Sequence, residues 1–115
     1  MDERLEKALA FSNYRATIEN RRKALRRRFE TMMVVHHNNG MFTADSETIA
    51  FVDALLGSGH KDAIILDNRM NPVHVNDLRA FYTQLMDSYF TATNEYASES
   101  EKLARARDVK KAMDW

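Results

Sequence analysis

Apolar residues recur at steps of three and four over most of this chain, and only its middle breaks that rhythm. From about Asp2 to His36 there is no proline or glycine, and Ala, Leu, Glu, Lys and Arg are abundant. Phe11, Tyr14, Ile18, Leu25, Phe29, Met32 and Met33 draw one stripe along a cylinder, which predicts a long helix. Arg21 and Arg28 interrupt the stripe, though an arginine stem can lie along apolar surface while its guanidinium reaches water. Asn38, Asn39 and Gly40, which tolerate left-handed backbone, are expected to stop this helix.

The middle reads as short pieces. An extended run through Met41 and Phe42 precedes Thr43 or Asp45, either of which can cap a second helix whose buried face is Ile49, Val52, Leu55 and Leu56. Gly57, Ser58 and Gly59 close that helix. Ala63 to Leu66 and Val73 to Val75 are β-rich runs around the turn-forming residues Asp67 to Pro72, which predicts a hairpin. An isolated hairpin is marginal in water, so it is expected to pack on the helices, with Met41 and Phe42 as a third edge strand.

Asn76 is the expected cap of a last helix, from about Asp77 to the carboxyl end. Leu78, Tyr82, Leu85, Tyr89, Ala92, Tyr96, Leu103 and Ala106 alternate at four and three, with Glu99 at the one polar place, as on a coiled-coil seam. Over residues 77–112 such a helix is about 54 Å long, more than the diameter of a small domain. The expected fold is therefore mostly α (α+β): two long helices, one shorter helix and a small β-hairpin, in a single domain over residues 1–115. The helices are expected to pair as an antiparallel or oligomeric bundle.

Composition narrows the class. The chain has 44% hydrophobic and 30% charged residues, the profile of a folded rather than a disordered sequence. It lacks cysteine, so a disulfide framework and thiol chemistry are excluded. It also lacks an apolar run of spanning length and a leader-like amino terminus, which sets the expectation of a cytosolic protein without membrane contact. Net charge is zero but unevenly spread: +4 over residues 1–40, −7 over 41–101 and +3 over 102–115. Two basic ends around an acidic middle can pair within a chain, pair between chains, or bind separate partners.

Little of this resembles catalytic machinery. His36 and His37 are adjacent and point about 100° apart on a helix, and His60 and His74 flank the hairpin with no carboxylate spacing to complete a metal set. The three glycines fit no phosphate-binding fingerprint, and no serine has a glycine-flanked elbow. The expectation is no enzyme activity, no cofactor, no metal and no small-molecule substrate. The strongest local signal is Arg21, Arg22, Lys23, Arg26, Arg27 and Arg28, reinforced by Arg15 and relieved only by Glu19. Such a cluster can hold phosphates or an acidic protein surface. A net charge of zero favours the protein surface. Phe81, Tyr82, Tyr89, Phe90 and Tyr96 could stack bases, but their helical spacing makes them core and interface residues first.

Several fragments resemble a family of small proteins of T-even-like myophages, including those infecting marine cyanobacteria. They are Phe11-Ser12-Asn13-Tyr14 with Asn20 and Arg21, Gly40 with Phe42-Thr43, Leu55-Leu56, Asp67-Asn68 with Pro72, and Tyr89-Phe90 with Ala92, Asn94 and Tyr96. The arginines at 26 to 28 and the His36-His37 pair depart from that pattern. A weaker similarity in the middle and last third is to a domain of phage tail-fibre proteins with a short helix, a hairpin around Asp-Asn and a terminal helix. The resemblance implies a phage structural or assembly protein that docks on other phage structural proteins and on itself. It would reside in the host bacterial cytoplasm during assembly, with the virion as the other residence. The basic helix would be the partner contact, and the seam of Leu78, Tyr82, Leu85, Tyr89, Ala92, Tyr96 and Leu103 the bundle or oligomer interface. The alternative is a small nucleic-acid-binding or regulatory phage protein using the basic amino-terminal helix.

Overall fold

A computed structural model describes the backbone of residues 2–112 and the side chains of residues 2–106, so the basic residues expected at the extreme carboxyl end, from Arg107 onward, lie outside the described side chains. The protein is mostly helical, with three helices and two antiparallel two-stranded sheets. In chain order these are α1 (Glu3–Met32), β1 (Val34–His37), β2 (Gly40–Thr43), α2 (Ser46–Gly57), β3 (Ala63–Leu66), β4 (Pro72–Val75) and α3 (Leu78–Ala112). No helix among the described residues is long and apolar enough to cross a membrane. The chain divides into two units. Residues up to Arg28 and those from Glu95 onward form the first, and Phe29–Asn94 the second.

The first helix ends four residues before the expected boundary, because Val34 and Val35 begin a strand. Their branched side chains fit a pleated sheet better than a helix. Asn38 (φ 47°) and Asn39 (φ 66°) do adopt left-handed backbone, but as the two-residue turn joining β1 to β2 rather than as a helix stop. Met41 and Phe42 therefore pair with His36 and Val35, not with the second hairpin as a third strand. Gly40 lies where a Cβ would fall 2.6 Å from Val73 Cγ2 and 2.9 Å from Phe42 Cε2, so close approach of neighbouring side chains demands glycine there.

The second hairpin turns around Asp67. Its Oδ1 accepts from the amides of Arg69 and Asn71, both at 2.9 Å, and its Oδ2 accepts from the Met41 amide at 3.1 Å. The Asn68 amide donates to Met41 O at 2.8 Å, so this one turn ties β2 to the loop between β3 and β4. The Asn71 amide is the largest influence on the Asp67 carboxyl; burial opposes it, while the Met41 and Arg69 amides and the Arg69 charge add to it. The net effect holds the pKa below the ordinary carboxylate value.

Both later helices are capped by aspartate. Asp45 accepts from the Thr48 amide at 2.8 Å, and Asp77 accepts from the Ala80 amide at 3.1 Å. Asp77 thus takes the place expected of Asn76, and the Leu78 amide, first in the helix, is bonded to Lys61 O at 3.0 Å. The core of this second unit gathers Val35, Phe42, Ala44, Val52, Ile65, Val73, Val75, Leu78, Phe81 and Leu85, with Ile49, Leu55 and Leu56 of α2 packed against it as their spacing predicts. Phe81 sits among aromatic rings, its centroid 4.9 Å from Phe42 and 4.8 Å from His37.

Candidate functional site

The six basic residues of α1 do not form one face. At about 100° per residue the pairs Arg22/Arg26, Arg21/Arg28 and Lys23/Arg27 point three ways. Within the first unit, Arg22 and Arg26 line a shallow groove with Leu25, Tyr96, Ser100 and Leu103. Arg21 and Arg28 line a second groove with Leu25, Glu95, Glu99 and Leu103, while Lys23 and Arg27 line neither. The arginines that interrupted the apolar stripe therefore stand on the flank of Leu25 and Leu103. Arg28 is paired with Glu95 at 2.6 Å and Arg22 with Glu19 at 3.4 Å. No carboxylate among the described residues reaches Arg21, Lys23 or Arg26. Arg15 lies over the Phe11 ring, 5.8 Å from its centroid.

The seam of α3 serves two different surroundings. Leu78 and Leu85 are fully buried in the second unit's core, with Tyr82 packed against them. Ala92 is also fully buried, and Tyr89 meets Phe90 edge-on with centroids 5.7 Å apart. Tyr96 and Leu103 are half-buried and belong to the first unit, where they line the grooves beside α1. In that unit the Tyr14 hydroxyl donates to Ala106 O at 2.8 Å, and Ile18 is the one buried side chain among the described residues.

Two of the four histidines have side-chain hydrogen-bond partners. His37 Nδ1 lies 3.0 Å from Gln84 Oε1, while Gln84 Nε2 donates to His36 O at 3.0 Å. With the amide oriented that way, His37 Nδ1 carries the proton and donates. His74 Nε2 lies 2.9 Å from Asp62 Oδ2, both exposed, and His60 is exposed beyond the end of α2. No group of three or more His, Cys, Asp or Glu among the described residues could hold a metal ion.

Several large apolar side chains stay in water, among them Phe11 of the expected apolar stripe and Phe90 of the expected interface aromatics, and sequence pattern did not mark Leu5, Leu9, Phe51 or Met70. Leu5, Leu9 and Phe11 are exposed at the start of α1, and Phe51, Ile64, Leu66, Met70 and Phe90 in the second unit. Strand alternation carried a signal for two of them. Once Ile65 faces the core, period two turns Ile64 and Leu66 outward. No protein-family model, no curated protein and no solved structure matches the chain.

Proposed function

We propose that this protein acts without catalysis, by docking on protein surfaces and associating with copies of itself through its first unit. The observation that carries this reading is the contrast in burial. The second unit closes a core of ten residues, whereas the first buries only Ile18 among its described residues and leaves Leu5, Leu9 and Phe11 exposed. Two helices cover only one stripe of each other, and a stable layer needs something more against it. The bonds from Tyr14 to Ala106 and from Arg28 to Glu95 run in opposite senses along the two helices, which supports antiparallel pairing. A second such pair would complete a four-helix bundle. The resemblance to the myophage family supplies the setting: a particle or assembly component in the host bacterial cytoplasm, meeting other phage structural proteins.

Nucleic-acid binding through α1 is the rival reading, favoured by Arg21, Lys23 and Arg26 having no carboxylate partner among the described residues. A helix that tracks phosphates concentrates its cations on one side, and here they point three ways. Light scattering during size exclusion, at low and high salt and with a duplex oligonucleotide, separates the two. A discrete salt-stable oligomer, which falls apart into smaller species when Leu5, Leu9 and Phe11 become glutamine, is the expected result. A monomer that shifts only with DNA at low salt, and stops shifting in an Arg21→Gln, Arg22→Gln, Arg26→Gln variant, refutes the docking reading.

A further inference from the structure

The two edges of the second hairpin are treated differently. The Asp67 amide donates to Asn71 O at 2.9 Å, one step beyond the Leu66–Pro72 pair in the same register, which fixes the alternation of the ladder. Ala63 and Ile65 turn their peptide groups toward β4, while Ile64 and Leu66 turn theirs away. Two observations on β4 agree. Pro72, opposite Leu66, has no N–H to offer, and His74 O, opposite Ile64, accepts from Asn38 Nδ2 at 2.8 Å, on the side away from β3. The outer edge of β4 is thus blunted by a proline and occupied by Asn38. No hydrogen bond outside the ladder reaches the backbone of Ile64 or Leu66 among the described residues.

That open edge also carries apolar side chains. Ile64 is 70% exposed, Leu66 53% and Met70 71%, with Pro72 exposed across the ladder from Leu66. Sheet edges facing water are normally guarded by charge, proline or a bulge, and between Ala63 and Leu66 there is none of these. Unpaired donors and acceptors beside exposed apolar side chains call for another strand.

We propose that β3 is a self-association edge, onto which β3 of a second copy adds antiparallel about a two-fold axis. A second copy fits because the edge is self-complementary: with Ile65 on the axis, Ile64 of each chain lies opposite Leu66 of the other. Apolar meets apolar twice, and about four backbone hydrogen bonds form. The two hairpins become one four-stranded sheet, and the outward apolar residues of both copies share one face. The area is small, so the contact is weak and concentration-dependent. This goes beyond the docking reading, since it is a second surface in the other unit and stands whether or not the first unit associates.

The test is sedimentation velocity over a wide concentration range on the full chain, in the background of the Leu5→Gln, Leu9→Gln, Phe11→Gln variant. A residual monomer–dimer equilibrium is expected there, weakened at least about tenfold by Ile64→Lys with far-UV circular dichroism unchanged. A strict monomer in that background, or a dimer indifferent to Ile64→Lys, overturns the proposal. Wild-type association abolished by the helix substitutions alone would leave the docking reading intact and still refute this one. Because the chain has no cysteine, register can be read directly. A mixture of Ile64→Cys and Leu66→Cys proteins should form mixed disulfides in preference to like-with-like ones, since residues directly opposite lie within bridging distance. Preferential like-with-like bridging, or none, counts against the edge as drawn.

Discussion

Leu85 and Leu103 stand on the same helix and the same stripe, so truncating each to alanine isolates what their surroundings contribute. Helix propensity changes identically at both positions and cancels from the comparison. Leu85 is fully buried among the side chains of the second unit. Leucine to alanine there removes three carbons worth about 0.8 kcal/mol each, and adds a cavity term because rigid neighbours do not collapse fully; a loss of roughly 3 kcal/mol follows. Leu103 is half-buried beside open grooves on both flanks. Only about half the transfer term applies there and water can refill the space, which leaves about 1 kcal/mol. In melting temperature the two losses are about 12 °C and about 4 °C for a chain of this size. Urea titrations followed by far-UV circular dichroism, at concentrations where the wild type is monomeric, give the same comparison as midpoint shifts at constant slope. Equal losses, or a larger one at Leu103, would mean that the first unit closes a real core of its own and would refute the burial contrast on which the docking reading stands.

Three further perturbations bear on the second unit. Gly40→Ala forces a methyl into space held by Val73 and Phe42, and should destabilise by about 1–3 kcal/mol in the same titration; a neutral result would show that Val73 yields freely. Asn39→Ala places an ordinary side chain at φ 66° and should cost about 1 kcal/mol, whereas Asn39→Gly should be neutral or better, as thermal melts would reveal. The Asp67 carboxyl has its pKa lowered by folding, so its contribution is complete above the ordinary carboxylate pKa of about 4 and disappears as pH falls through the lower folded value. Asp67→Asn should therefore flatten the acid limb of stability against pH, and an unchanged limb would assign acid sensitivity to other carboxylates.

Much of this fold was readable from local pattern. The stripe Ile49, Val52, Leu55 and Leu56 gave α2 and its buried face, and the β-rich runs around Asp67 to Pro72 gave the second hairpin. What failed was decided by a few local choices. Val34 and Val35 follow a run of helix formers without a break and yet begin β1, because Asn38-Asn39 signals a helix end and a hairpin turn through the same left-handed backbone. Asp77 displaced Asn76 as a cap because both residue types suit the role and position depends on where Lys61 receives the Leu78 amide. The division of the α3 seam was not legible, since Leu85 and Leu103 look alike until the sheets that cover one of them are in place. Nor was the pairing of Arg28 with Glu95, which no local spacing encodes. The arginine cluster was legible as composition, but its three directions emerge only on the wheel of a formed helix.

The bond from Tyr14 to Ala106 joins residues 92 positions apart, whereas the hairpins close through short turns and the Asp67 to Met41 bond spans 26 positions. Loop closure costs more entropy the longer the chain to be gathered, so these contacts have a natural order in time. Loop-closure entropy predicts that the hairpins form first, that their joining at Asp67 follows, and that the distant helix ends meet once folding has shortened the intervening chain. Read backwards, the same order governs opening: amide protons in the first unit should exchange through small local fluctuations, while those under Phe81 wait for global unfolding. A unit that buries one side chain among its described residues has little to lose by opening, so its exchange rates should respond to whatever packs beside it.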